Sequence, residues 1–119
     1  MKTSIITYCL KKQGATKEYP FGPEAMVLKV GGKMFALLFE GTEEEFRLNL
    51  KCDPVIAENL REQLDAVRPG FHMNKKHWNT VMVDGSLPLS DIFDMINHSY
   101  DLVVGKLPKS VRESILEMK

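Results

Sequence analysis

The chain has no surplus of either charge, no apolar run near the roughly 18 residues that a membrane span requires, and only two cysteines. Each shortage removes a class of protein. Cys9 and Cys52 stand 43 positions apart, outside any CxxC or zinc-type spacing, in a chain with no secretory signal, so reduced thiols that act as small buried hydrophobes are expected rather than a disulfide or a cysteine-ligated metal. The N-terminal stretch "MKTSIITYCLKKQG" is broken by Thr7 and ends in lysines rather than in a small-residue cleavage site, which makes it a poor signal peptide. A soluble, cytoplasmic protein is predicted.

Glycine-rich phosphate cradles are missing as well. Gly31-Gly32 lacks the GxGxxG and GxxxxGK[ST] contexts, and it is accounted for by a turn. No nucleophile elbow or catalytic-cysteine signature is present. His72 and His77 are five apart, a spacing that neither helix nor strand brings to one face, so the pair does not read as a zinc site. A general base at either histidine would need a catalytic partner that the sequence does not supply. The chain is predicted not to be an enzyme and to carry no cofactor and no metal.

What is present is an ordinary globular composition: 119 residues, 44% hydrophobic and 27% charged, enough for one core without metal or disulfide support. The apolar pattern predicts an opening amphipathic helix over Lys2 to Gln13 with Gly14 at its end, through Ile5, Ile6, Cys9 and Leu10. "AMVLKV" and "KMFALLF" flank Gly31-Gly32, the signature of a tight hairpin whose register sets Val30 opposite Lys33, Leu28 opposite Phe35 and Met26 opposite Leu37. Glu40, Glu43, Glu44 and Glu45 gather in a short acidic loop before a third strand, where Phe46, Leu48 and Leu50 alternate with Arg47, Asn49 and Lys51. This alternation predicts a sheet with one wet face.

Asp53-Pro54 starts a helix, by carboxylate capping and by proline's fixed first turn, and its stripe runs through Ile56, Leu60, Leu64 and Val67. "WNTVMVDG" reads as a strand ending in an Asp-Gly turn. Pro88 opens a longer helix with Ile92, Phe93, Ile96, Tyr100, Val103, Val104 and Leu107 on one side, and Pro108 separates it from a short terminal helix. The fold class is α+β: one domain over 1–119, a two-layer, mostly antiparallel sheet with helices packed on one face.

The most pointed segment is "PGFHMNKKHW", Pro69 to Trp78, with two histidines, two lysines, an asparagine, the only tryptophan and no acid. Lysine and asparagine contact phosphates and base edges, and tryptophan and histidine stack on bases. The competing reading is structural: Trp78 as a core anchor, Asn74 capping a turn over Lys75 to His77, the lysines merely solvated. Side-chain chemistry selects Arg68, His72, Asn74, Lys75, Lys76, His77, Trp78 and Asn79 as the candidate nucleic-acid-binding residues. A second acid-free stretch, residues 1 to 17 with Lys2, Lys11, Lys12 and Lys17, would enlarge a positive face if the two meet in space.

"LKCDP", "VRPGFHMNKKHWNTV", "DGSLP" and "SYDLVVGKLPK", in this order and spacing, resemble the MmcQ/YjbR-like family of small bacterial proteins. The resemblance implies an α+β domain similar to the frataxin-like or secretion-chaperone-like arrangement, and a DNA-binding label that rests on a double-wing arrangement of strands. It also raises a frataxin-type alternative, iron held by an acidic first helix, which Lys2, Lys11 and Lys12 argue against. Double-stranded DNA is the partner this points to. The alternative is an adaptor or chaperone-like domain that docks a protein partner through Phe71 and Trp78.

Overall fold

The computed structural model describes residues 1–39 and 46–117. The acidic loop of Glu40, Glu43, Glu44 and Glu45 lies outside them. The elements run α1 (Lys2–Leu10), β1 (Thr16–Glu18), β2 (Ala25–Val30), β3 (Lys33–Phe39), β4 (Arg47–Lys51), α2 (Pro54–Gln63), β5 (Val67–Pro69), β6 (Trp78–Met82), α3 (Leu89–Gly105) and α4 (Lys109–Leu116). The six strands form one sheet in the order β1-β2-β3-β4-β6-β5, and every pairing is antiparallel. The α+β architecture expected from the sequence is therefore formed. No helix among the described residues is long and apolar enough to cross a membrane.

Alternation decides the faces. Met26, Leu28, Val30, Leu38, Leu48, Leu50 and Val81 point to the helix side, where they join Ile5 and Cys9 of α1, Ile92, Ile96, Tyr100 and Val103 of α3, and Ile115 of α4 in one core. Asp53 caps α2 as its sequence predicts, its Oδ1 accepting from the Val55 and Ile56 amides at 3.0 and 3.3 Å. Gly31 and Gly32 take φ of 58° and 79° in the hairpin turn.

Four expectations are corrected. The hairpin keeps Val30 opposite Lys33, but a one-residue shift between Leu28 and Lys29 pairs Leu28 with Ala36, Val27 with Leu37 and Met26 with Leu38, leaving Phe35 as the extra residue. The bulge turns Phe35 into the core, edge-on to Tyr100 at 5.4 Å. The opening helix stops at Leu10 rather than Gln13. Val67 leaves the α2 stripe, because Leu64 turns extended (φ −126°, ψ 115°) and Val67 pairs with Val81 in β5.

The sheet face away from the helices is not wet. Ala25, Val27 and Leu37 form a second apolar cluster there, with Met34, Phe39 and Met73 packed around it. The pairings align one row across all six strands on this outer face: Glu18, Val27, Leu37, Asn49, Thr80 and Arg68. Its buried polar members are tied to each other. The Thr80 hydroxyl donates to Asn49 Oδ1 at 2.5 Å and accepts from the Phe71 amide at 2.8 Å, and Asn49 Nδ2 donates to the Phe71 carbonyl at 2.9 Å. These bonds fold the segment after β5 back over the sheet.

Candidate nucleic-acid interface

The turn 74–77 is built on Asn74. Its Oδ1 accepts from the Lys76 amide at 2.9 Å, and its carbonyl accepts from His77 and Trp78 at 3.3 and 3.0 Å, the local capping its sequence suggests. Arg61 on α2 clamps the same turn: Nε donates to Asn79 Oδ1 at 2.7 Å, and Nη2 donates to the Trp78 carbonyl at 3.1 Å and to the Lys75 carbonyl. The loop is thus held at both ends, and the Cys52 amide adds a bond to the His77 carbonyl at 2.8 Å.

The eight residues selected from the sequence do not form one patch. Asn79 is 3% exposed and faces the helix side, where it serves Arg61. Arg68 is exposed on β5 and faces outward, opposite Thr80. His72 takes φ 60°, with its ring tilted against Phe71 at 4.0 Å, and also lies on the outer side. Lys75 bends back so that Nζ donates to the Gly70 carbonyl at 3.3 Å. Lys76 is exposed, and its ammonium has no hydrogen bond or ion pair among the described residues. Trp78, half-buried, is brought beside Lys51, its register partner on β4.

That pairing opens a site the sequence reading did not select. Lys33, Lys51 and Lys106 line a cleft of about 370 Å³, together with Trp78, Met34 and Leu107. Lys33 follows the Gly-Gly turn, Lys51 ends β4 and Lys106 follows α3, so three distant segments converge at one end of the sheet. Among the described residues none of these ammonium groups is in an ion pair. Burial lowers the Lys51 pKa below its ordinary value of 10.5, and the charge of Lys106 lowers it further. The cleft thus combines unneutralised cations with one aromatic wall. Two of its lysines lie in "LKCDP" and "SYDLVVGKLPK", the blocks that carry the family resemblance; the sheet register joins Lys51 to Trp78, and Lys106 reaches the cleft from the end of α3.

The N-terminal lysines belong elsewhere. Lys12 bonds Asn97 Oδ1 and lies over the rings of Tyr8 and Tyr100 at 5.0 and 5.5 Å, within the helix layer. Lys17 sits on β1, the sheet edge opposite β5. Both thiols are buried, and burial pushes Cys9 up to about 12. Among the described residues no three histidine, cysteine or acidic side chains gather where they would hold a metal ion.

Comparison with known proteins adds relatives along nearly the whole chain. The YjbR family model matches residues 10–102. The chain is 37% identical over 116 residues to YjbR of Escherichia coli K12, covering 98% of each sequence. It is 42% identical over 91 residues to YbdF of Escherichia coli O157:H7, covering 76% of this chain and 74% of that one. The crystal structure of Deinococcus radiodurans protein DR2400, a DUF419 domain, superposes with a TM-score of 0.88 at 34% identity, over 97% of this chain and 87% of that one.

Proposed function

The chain belongs to the YjbR family, and from that premise we propose that it is a non-enzymatic, cytoplasmic DNA-binding protein whose contact surface is the cleft of Lys33, Lys51, Lys106 and Trp78, extended by Lys76. One observation carries the reading: three ammonium groups without acidic partners among the described residues share a cleft with the only tryptophan. Burial first, and the charge of Lys106 second, disfavour the Lys51 ammonium, and a phosphate backbone would relieve that cost. Zero net charge is compatible with this, because local potential, not the sum, attracts a polyanion. Trp78 would pack on a sugar or an exposed base. The residues proposed from sequence divide accordingly: Lys76 and Trp78 contact the ligand, Asn74, Lys75, His77 and Asn79 build the turn that presents them, and Arg68 and His72, on the outer sheet face, take no part.

Fluorescence anisotropy of a labelled duplex at low and physiological salt tests this. Micromolar or tighter binding is expected, with log affinity falling against log salt at a slope of roughly −3 for three phosphates. Lys51→Ala/Lys106→Ala should lower the affinity and reduce the slope by about 2. Absence of binding at low salt, or binding that the double variant leaves intact, overturns the proposal. A ligand retained in high salt and lost with Phe71→Ala or Trp78→Ala would point instead to a protein-interaction domain.

A further inference from the structure

The outer sheet face carries a second concavity, distinct in chemistry from the lysine cleft. A groove of about 600 Å³ runs between the Pro20-Phe21 loop and His72-Met73, with Val27, Leu37 and Phe39 among its floor residues. Its size is that of a site for a small organic ligand. Phe21, on one wall, is 74% exposed, and Met34 and Met73 give adaptable apolar surface. Lys29 at the groove is paired with Glu18, so this charge is neutralised and not offered to a ligand.

Beyond Phe39 the chemistry changes. The Arg47 guanidinium lies 4.9 Å from the ring centres of both Phe39 and Phe71, which are themselves 6.4 Å apart. The two rings meet the guanidinium on adjacent sides and restrict its orientation. Its Nε is buried and has no hydrogen-bond partner among the described residues, an uncommon state for a charged donor. Arg47 also borders a smaller cleft of about 220 Å³, together with Arg68, Phe71 and Thr80. Among the described residues neither arginine is in an ion pair, though Arg68 favours the ionisation of Asp84.

We propose that this face binds an amphiphilic acid, a molecule with an apolar chain or ring system that ends in a carboxylate. The carboxylate meets Arg47 and Arg68, whose planar forks donate to two oxygens at once, and the apolar body lies over Phe39 into the groove toward Phe21. The inference does not rest on the DNA reading, since the lysine cleft is lined by different cations.

Isothermal titration with decanoate, decanol and acetate, each below its aggregation limit, separates the two halves of the site. Decanoate should bind at least tenfold tighter than either of the others, with amide shifts in ¹H–¹⁵N spectra centred on 25–27, 37–39, 47 and 71–73. Phe21→Ser should weaken decanoate about tenfold. Arg47→Met and Arg68→Ala should each weaken decanoate at least fivefold and leave decanol unchanged. Should Arg47→Met fail to fold, Arg68→Ala on the exposed edge carries the same test. Decanol or acetate binding as tightly as decanoate, or decanoate binding that survives both Phe21→Ser and Arg68→Ala, would overturn the proposal.

Discussion

The Ser99 hydroxyl lies 2.9 Å from the Lys51 amide, which donates to it, and donates in turn to the Phe35 carbonyl at 2.5 Å. Phe35 and Lys51 lie just past the last β3–β4 pair, Ala36 with Leu50, so a side chain from α3 completes that ladder where the two strands no longer pair. Ser99 is fully buried. Ser99→Ala leaves a buried carbonyl and a backbone amide unpaired and should cost about 2–3 kcal/mol in urea unfolding. Because the bond holds the backbone of Lys51, the same variant should also weaken duplex binding.

Arg61 supports Trp78 without touching the proposed ligand. Arg61→Met removes three donors, leaves Asn79 Oδ1 unpaired, and should destabilise the fold by about 2 kcal/mol. Trp78 is the sole tryptophan, so its emission reports the loop alone. A red shift in the folded variant, with unchanged far-ultraviolet dichroism, is the expected signature.

Gly70 is held against the strand it faces. A Cβ there would stand 2.8 Å from both the carbonyl oxygen and the Cβ of Trp78, and the Gly70 amide already donates to that oxygen at 2.9 Å. The obstruction is backbone and cannot swing aside. Gly70→Ala should lower stability by about 1–3 kcal/mol, measured by thermal or urea unfolding.

Lys51 and Lys106 are coupled by repulsion. In Lys106→Met, the Lys51 pKa should rise toward 10.5, followed by NMR titration of the lysine side chains. A lowered lysine pKa in the fold means that the unfolded chain binds more protons, so stability rises with pH between the lowered value and 10.5. Lys106→Met should flatten that rise.

Cys9 acts in the opposite sense. Its pKa is raised from 9.0 to about 12, chiefly by burial, with Lys12 opposing. The folded thiol keeps its proton where the unfolded one has lost it, so the stabilisation is complete below pH 9 and is lost as pH climbs toward 12. The slope is at most about 1.4 kcal/mol per pH unit. Comparing the alkaline slopes of the native protein and Cys9→Ala in urea isolates the effect. A thiol reagent at pH 8 should label neither cysteine quickly until the protein unfolds.

Sequence patterning carried the fold a long way because most of its signals are local. The Asp53 cap, the Gly-Gly turn and the α3 stripe each depend on residues within a turn or two of one another. The bulge at Phe35 was not legible, since both registers bury leucines and the hydrogen-bond partner of the Phe35 carbonyl, Ser99, is 64 positions away. The strands β1 and β5 are three residues each, too short for alternation to register. The same reason divides the site. "PGFHMNKKHW" drew attention by composition, yet much of its polarity is spent internally, in Asn74, Lys75 and Asn79. The free cations beside Trp78 come from the far ends of other elements, and Arg47 becomes noteworthy only when Phe39 and Phe71 close on it.

Those two short strands are also the borders of the sheet. Thr16, Lys17 and Glu18 present a brief stretch with both charges, and β5 ends on Pro69, which has no N–H to offer. A further strand would find few bonds to zip onto at either side, the arrangement by which natural sheets resist edge-to-edge aggregation. Contact with other molecules is left to the broad surfaces and the ends of the sheet, where the guanidinium and ammonium groups lie.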